Sequence, residues 1–158
     1  MGVEIERKFL VDHNKWKQLT KPIGTHFRQG YVLSDDNRTI RIRVTDKHGY
    51  ITFKGASSGI SRKEFEYEIP VDEGVELLDG FAESEIEKIR YRIEFEGKTW
   101  EIDEFLGDNA GLILAEIELL KEDEEFEKPD WISIEVSDEE RYYNSCLAVY
   151  SFKDWAKN

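Results

Sequence analysis

A single cysteine, Cys146, leaves no intramolecular disulfide to form, which suits a reducing compartment. Positive charge is scarce: 22 Lys and Arg face 35 Asp and Glu, a formal net charge of -13 at pH 7. The field of such a chain repels nucleic acid and anionic membranes, so neither is an expected partner. No apolar stretch approaches the ~18 residues of a membrane span. The opening Met1-Gly2-Val3-Glu4-Ile5-Glu6 lacks the apolar run of a signal peptide. Glu6 also stands where a myristoylation signal needs Ser or Thr. The expectation is a cytoplasmic protein. No glycine loop of the Walker type is present, and His13, His26 and His48 lack metal-ligand spacing and are expected at the surface. Repeats, low-complexity tracts and Pro/Gly-rich linkers are missing too, so residues 1–158 read as one domain.

What the chain has in excess is charge. Charged residues make up 36% of it, against roughly 25% in an ordinary globular protein, while 13% aromatics argue against disorder. Period-two alternation predicts strands over 3–11, 27–33, 38–45, 50–54, 62–69, 87–96, 98–104, 112–120 and 132–136. Turns are expected at Asp35-Asp36-Asn37, Lys47-His48-Gly49, Ser57-Ser58-Gly59, Gly97-Lys98 and Gly107-Asp108-Asn109. Helices are expected over 12–20, capped by Asp12, and over 72–81. A third, behind a Ser137/Glu140 capping box, should reach about Val149, with a last turn holding Phe152 and Trp155. Cys146 and the four tryptophans read as packing residues, and the acidic run Glu122 to Glu127 as a solvated loop. Many antiparallel strands with few helices make a mainly β (α+β) fold, a barrel or a strongly curved sheet.

The alternation sorts charge by sign. Glu4, Glu6 and Lys8 share one strand face; Arg41 and Arg43 another; Lys54 follows Thr52. Downstream come Glu64, Glu66 and Glu68, then Lys88, Arg90 and Arg92, then Glu101 and Asp103, then Glu116 and Glu118. Residues at i and i+2 in a strand point the same way. For any one strand, a solvated outer face accounts for such a row. A surface built for solubility intersperses both signs, however, and these rows segregate them. Arg-x-Arg and Glu-x-Glu pairs are what a metal-triphosphate complex requires, with guanidinium forks for phosphate and carboxylates for a hard cation. Periodicity alone does not say which face is inside.

The same residues, in this order, resemble the CYTH superfamily of triphosphate tunnel metalloenzymes. The resemblance rests on Glu4-Ile5-Glu6-Arg7-Lys8, Gln29-Gly30-Tyr31, Arg41-Ile42-Arg43, Thr52-Phe53-Lys54-Gly55, Glu64-Phe65-Glu66-Tyr67-Glu68, Lys88-Ile89-Arg90, Trp100-Glu101-Ile102-Asp103 and Ala115-Glu116-Ile117-Glu118. It covers nearly the whole chain; Ser133 and Ile134 depart from it, where relatives carry Gly and a polar residue. The resemblance implies an eight-stranded antiparallel barrel around a charged tunnel. By similarity, Lys8, Arg41, Arg43, Lys54, Lys88 and Arg90 would grip phosphates. Glu4, Glu6, Glu116 and Glu118 would hold one or two Mg2+ or Mn2+ ions, with Glu64, Glu66 and Asp103 in support.

Short members opening in this way resemble inorganic triphosphatases, so the implied reaction is hydrolysis of tripolyphosphate to pyrophosphate and phosphate. Tyr31 and Lys54 are the candidate proton acceptors, because a ring of cations would depress either pKa. Lys8 is counted with them among the catalytic residues, and a metal-bound water would need no separate base. The rival readings are an adenylyl cyclase acting on ATP, a thiamine or nucleoside triphosphatase, and a polyphosphate-binding module without activity. The expected partner is a small triphosphate, and a homodimer is left open.

Overall fold

The computed structural model describes residues 2–155. Strands β1 (Val3–Val11), β2 (Thr25–Ser34), β3 (Arg38–Val44), β4 (Gly49–Ser58), β5 (Ser61–Ile69), β6 (Ser84–Phe95), β7 (Lys98–Phe105), β8 (Ile113–Glu118) and β9 (Ile132–Glu135) form one antiparallel sheet. Helices α1 (His13–Gln18), α2 (Val71–Phe81), α3 (Asn144–Leu147) and α4 (Phe152–Trp155) lie between or after them. The strand order is β5-β4-β3-β2-β6-β7-β8-β1-β9, with a further β5–β1 pairing. That pairing closes eight strands into a barrel and leaves β9 as an extra strand.

Closure depends on β1, which is shared. One edge pairs with β8 from Glu6 to Leu10. The other pairs first with β5, where Glu4 faces Arg62, and later with β9, where Val11 faces Ile132. Between these two stretches the edge is bridged by other groups. The Glu6 N–H donates to Ile60 O and the Lys8 N–H donates to Ser137 Oγ at 2.9 Å, while Val136 N–H donates to Lys8 O.

The apolar halves of the strands turn outward; those of β1, β3, β7 and β8 are covered, whereas Phe53, Phe65 and Tyr67 of β4 and β5 stay exposed. Trp16 of α1 packs with Phe9, Trp100, Ile117 and Trp131 over β1, β7 and β8. Leu78 of α2 packs on Ile42 and Val44 of β3. The helix sits so close that a Cβ on Gly30 would lie 2.5 Å from Leu78 Cδ2. At one end of the barrel the inward rows themselves become apolar. Ile86, Phe105 and Leu114 continue the faces of Lys88, Asp103 and Glu116, and Val136, Tyr142 and Leu147 of the C-terminal segment pack onto them. That segment therefore stoppers the end at which β1 and β7 finish.

Asp12 caps α1 as expected, accepting from Lys15 N–H, and the β6–β7 turn falls on Glu96 and Gly97, whose φ angles of 49° and 77° both lie in the left-handed region. Two such residues give the hairpin twist that matches the flanking strands. The single helix expected from Ser137 to Val149 does not form. The segment breaks into a 3-10 turn at Glu140–Tyr142 and the four-residue α3. The Ser137 hydroxyl is taken up by Lys8 N–H and by Glu135 Oε2 at 2.7 Å, so it is unable to cap. Ser133 and Ile134 lie within β9 as ordinary exposed strand residues.

Candidate active site

Every charged row identified in the sequence faces the barrel interior, because cross-strand partners share a face and the pairings link row to row. Arg41 is opposite both Tyr31 and Thr52, Thr52 is opposite Glu66, and Lys54 is opposite Glu64. Arg90 is opposite Asp103, and Glu101 is opposite Glu116. On β1, Glu6 faces Glu118 and Lys8 faces Glu116. The rows enclose a cavity of about 260 Å3. Eight cationic and seven acidic side chains line it, so the interior is close to neutral in a protein of net charge -13. A cavity of this size holds a short chain of phosphates, and its wall offers such an anion enough cations to bind it.

The cations that resemblance assigns to phosphate are all engaged. Lys8 Nζ donates to Glu116 at 3.4 Å and Lys54 Nζ to both oxygens of Glu4 at 3.1 and 3.2 Å. Arg41 and Arg43 share Glu66 Oε1 at 3.3 and 3.6 Å. Asp103, 1% exposed, accepts from Lys88 Nζ at 2.9 Å and from Arg90 Nε and Nη2 at 2.7 and 2.9 Å. Arg90 Nη2 also reaches Glu116 at 3.1 Å. Asp103 thus orients two adjacent cations from a position behind them.

Burial and crowding shift the protonation of this set. Burial, reinforced by Arg90 and only partly offset by Asp103, pulls Lys88 down to about 7. Burial, Arg41 and Arg90 bring Arg43 to about 10. Among the acids, burial and then repulsion from Glu116 and Glu4 raise Glu6 well above the usual carboxylate range. Glu116 goes the other way: burial opposes its ionisation, but Lys8, a hydrogen bond with Glu6 and Arg90 hold it well below that range. Glu118 is raised by burial and by Glu4 and Glu101. These carboxyls repel one another, and a hard divalent cation would relieve that repulsion.

Tyr31 corrects an expectation. It is inside the barrel, 4% exposed, and its hydroxyl accepts from Gln29 Nε2 at 2.7 Å. Burial raises its pKa by more than Arg41 lowers it, the opposite of the depression expected for a base. Lys8 is also raised, since Glu116, Glu6 and Asp103 outweigh burial. Both groups therefore hold their protons more firmly than in water.

Several lining residues escaped the sequence reading. Arg62 continues the inward row of Glu64 and Glu66 two positions earlier, a signal that was present. Asn144 had no such signal: the short α3 swings its Oδ1 to 2.7 Å from Lys88 Nζ. Gln29, fully buried, lies within 3.5 Å of the same Asn144 oxygen. His13, His26 and His48 are exposed and outside the cavity, as expected.

Comparison with known proteins agrees with this geometry. The inorganic triphosphatase of Acetivibrio thermocellus is 51% identical over 156 residues, covering 98% of this chain and 99% of that one. The inorganic triphosphatase of Nitrosomonas europaea is 35% identical over 92% of this chain and 97% of its own length. A crystal structure of an inorganic triphosphatase superposes with a TM-score of 0.62 at 32% identity, covering 92% of this chain and 94% of that one. Residues 2–145 match the CYTH domain. With agreement along this much of the chain in motif, sequence and fold, the protein belongs to the CYTH domain family.

Proposed function

We propose that the protein hydrolyses the terminal phosphoanhydride of inorganic tripolyphosphate within the barrel, giving pyrophosphate and phosphate. The observation that carries this reading is the paired interior: Lys8, Arg41, Arg43, Lys54, Lys88 and Arg90 each lie within 4 Å of an inward carboxylate. An arriving polyanion takes over those cations and frees the carboxylates. The relatives named inorganic triphosphatase support the same substrate. So does the wall itself, where Ile60 is the one aliphatic side chain among the described lining residues. A nucleobase would need an apolar slot, which disfavours ATP cyclisation.

The donor chemistry fits a divalent ion. Glu4, Glu6, Glu116 and Glu118 would hold Mg2+ or Mn2+, which prefer hard oxygen ligands. No group of three donors is assembled for it among the described residues. Mg2+ is commonly bound by one or two carboxylates, with substrate phosphates completing its shell. When bound, such an ion supplies Lewis-acid neutralisation of phosphate charge and a more acidic water.

The chain's own residues do the rest. Arg41, Arg43 and Lys54 bind non-bridging oxygens and fix the extended anion in line for attack. Water bonds to the terminal phosphorus, the bridging P–O bond breaks and its electron pair leaves with the pyrophosphate, while the proton given up by the water passes to a phosphate oxygen of the products or to solvent. Lys88 and Arg90, aligned by Asp103, face the charge that develops. The anion raises Lys88 from about 7, so it is fully cationic when needed. Tyr31 is assigned to the wall, and Lys54 and Lys8 to phosphate binding.

Incubation with tripolyphosphate and Mg2+ or Mn2+ tests the reading. The expected products are phosphate and pyrophosphate in equal amounts. Cyclic AMP from ATP with no phosphate from tripolyphosphate would overturn it, as would tight binding without turnover.

A further inference from the structure

Among the described residues, the cations lining the cavity are paired with carboxylates in every case but one. Arg62 makes no ion pair. Its guanidinium is fixed instead by backbone: Nε and Nη2 donate to Gly55 O at 3.0 and 2.8 Å, and Nη2 also reaches Thr39 Oγ1 at 3.5 Å. A β-bulge makes this contact. Lys54 is opposite Glu64 and Ser57 opposite Arg62, so β4 takes three steps where β5 takes two. The extra residue breaks the ladder there, and the loosened carbonyl of Gly55 accepts Arg62. Three of the five N–H groups of a guanidinium are used in this way, leaving those of Nη1 for a ligand.

We propose that Arg62 is the docking cation that first captures the incoming triphosphate; this rests on the triphosphatase reading above. The physical reason is exchange. To bind phosphate, Lys8, Arg41 or Lys54 must first give up a carboxylate. Arg62 gives up nothing, and its side chain is already ordered, so little entropy is lost on contact. Its place is right for handing the anion inward. It is opposite Glu4 on β1, whose carboxylate holds Lys54, and one inward step from Glu64. Arg62 is the second residue of β5, beside the turn from β4 and at the end of the inward row of Glu64 and Glu66, which places it at the edge of the clamp. A net charge of -13 repels the substrate at long range, so one unpaired cation at that edge governs capture more than turnover.

Steady-state kinetics on tripolyphosphate across a range of salt concentrations test this with Arg62→Gln and Arg62→Lys. The glutamine variant should raise KM roughly tenfold, as for one lost charged contact, with kcat within about twofold. Its kcat/KM should respond less to salt, because a screened attraction has been removed. Lysine should restore the salt response and most of KM. A kcat that falls in step with kcat/KM would overturn the proposal, as would an unchanged KM or a lysine variant as impaired as glutamine. Melting temperatures check that each variant folds, and the lysine variant carries the test should glutamine fail to. Calorimetric binding of tripolyphosphate separates this from the functional reading. Weaker binding in Arg62→Gln supports docking even if wild type shows no turnover, and equal binding sinks it.

Discussion

Lys88 is the residue in which burial most changes the chemistry. Its ammonium has a pKa of about 7 in the free protein, well below the ordinary lysine value of roughly 10.4. An anion arriving beside it favours the charged form, so binding raises that pKa. At pH 8 the lysine is largely neutral before binding and charged after it, and one proton is taken up. At pH 6 it is charged throughout, and uptake fades. Calorimetry of tripolyphosphate binding in buffers of differing ionisation heat should show this dependence, and Lys88→Arg should abolish it. Uptake equal at both pH values would place the titrating group elsewhere. Arg41 is a simpler case. Arg41→Ala should lower kcat/KM on the order of a hundredfold or more while the melting temperature holds, since the side chain faces the cavity and not the packed exterior. The cationic and acidic rows were legible in the sequence because strand geometry repeats every two residues. The sign of each pKa shift was not, because it depends on which neighbour wins: the cations around Tyr31 are outweighed by its burial.

Elements fail to announce themselves where tertiary contacts override local signals. The strands and α2 were readable from period and composition. The helix expected after Ser137 was not to be had, because the barrel needs that hydroxyl to bridge the gap in the β1 edge. Ser137→Ala should therefore cost about 1 kcal/mol, read as a lower denaturation midpoint, despite the loss of no helix cap. An unaffected midpoint would mean that water replaces the hydroxyl. The stopper at the barrel end contributes more. Leu147 is fully buried against inward-facing residues of β6, β7 and β8, and Leu147→Ala should cost about 2–5 kcal/mol. Gly30→Ala tests α2 in the opposite sense. A methyl would intrude on Leu78, and overpacking of this kind costs roughly 1–3 kcal/mol.

On the scale of the molecule, closure converts rows into a site. A strand pattern cannot say whether its charged face is inside, and a flat sheet would leave every row in water. The β5–β1 pairing bends eight strands round, and helices α1 and α2 with the Trp131 region cover the apolar exterior over β1, β3, β7 and β8, leaving Phe53, Phe65 and Tyr67 exposed. A cavity that is nearly neutral then sits in a strongly acidic protein, with each lining cation but Arg62 held by an acid that the proposed substrate would displace. A crystal structure with tripolyphosphate and Mg2+ tests that exchange most directly. It should show the triphosphate inside the barrel, with Lys8, Lys54 and Arg41 on phosphate oxygens and their contacts to Glu116, Glu4 and Glu66 broken. A triphosphate bound on the exterior, with those three pairs intact, would contradict the account.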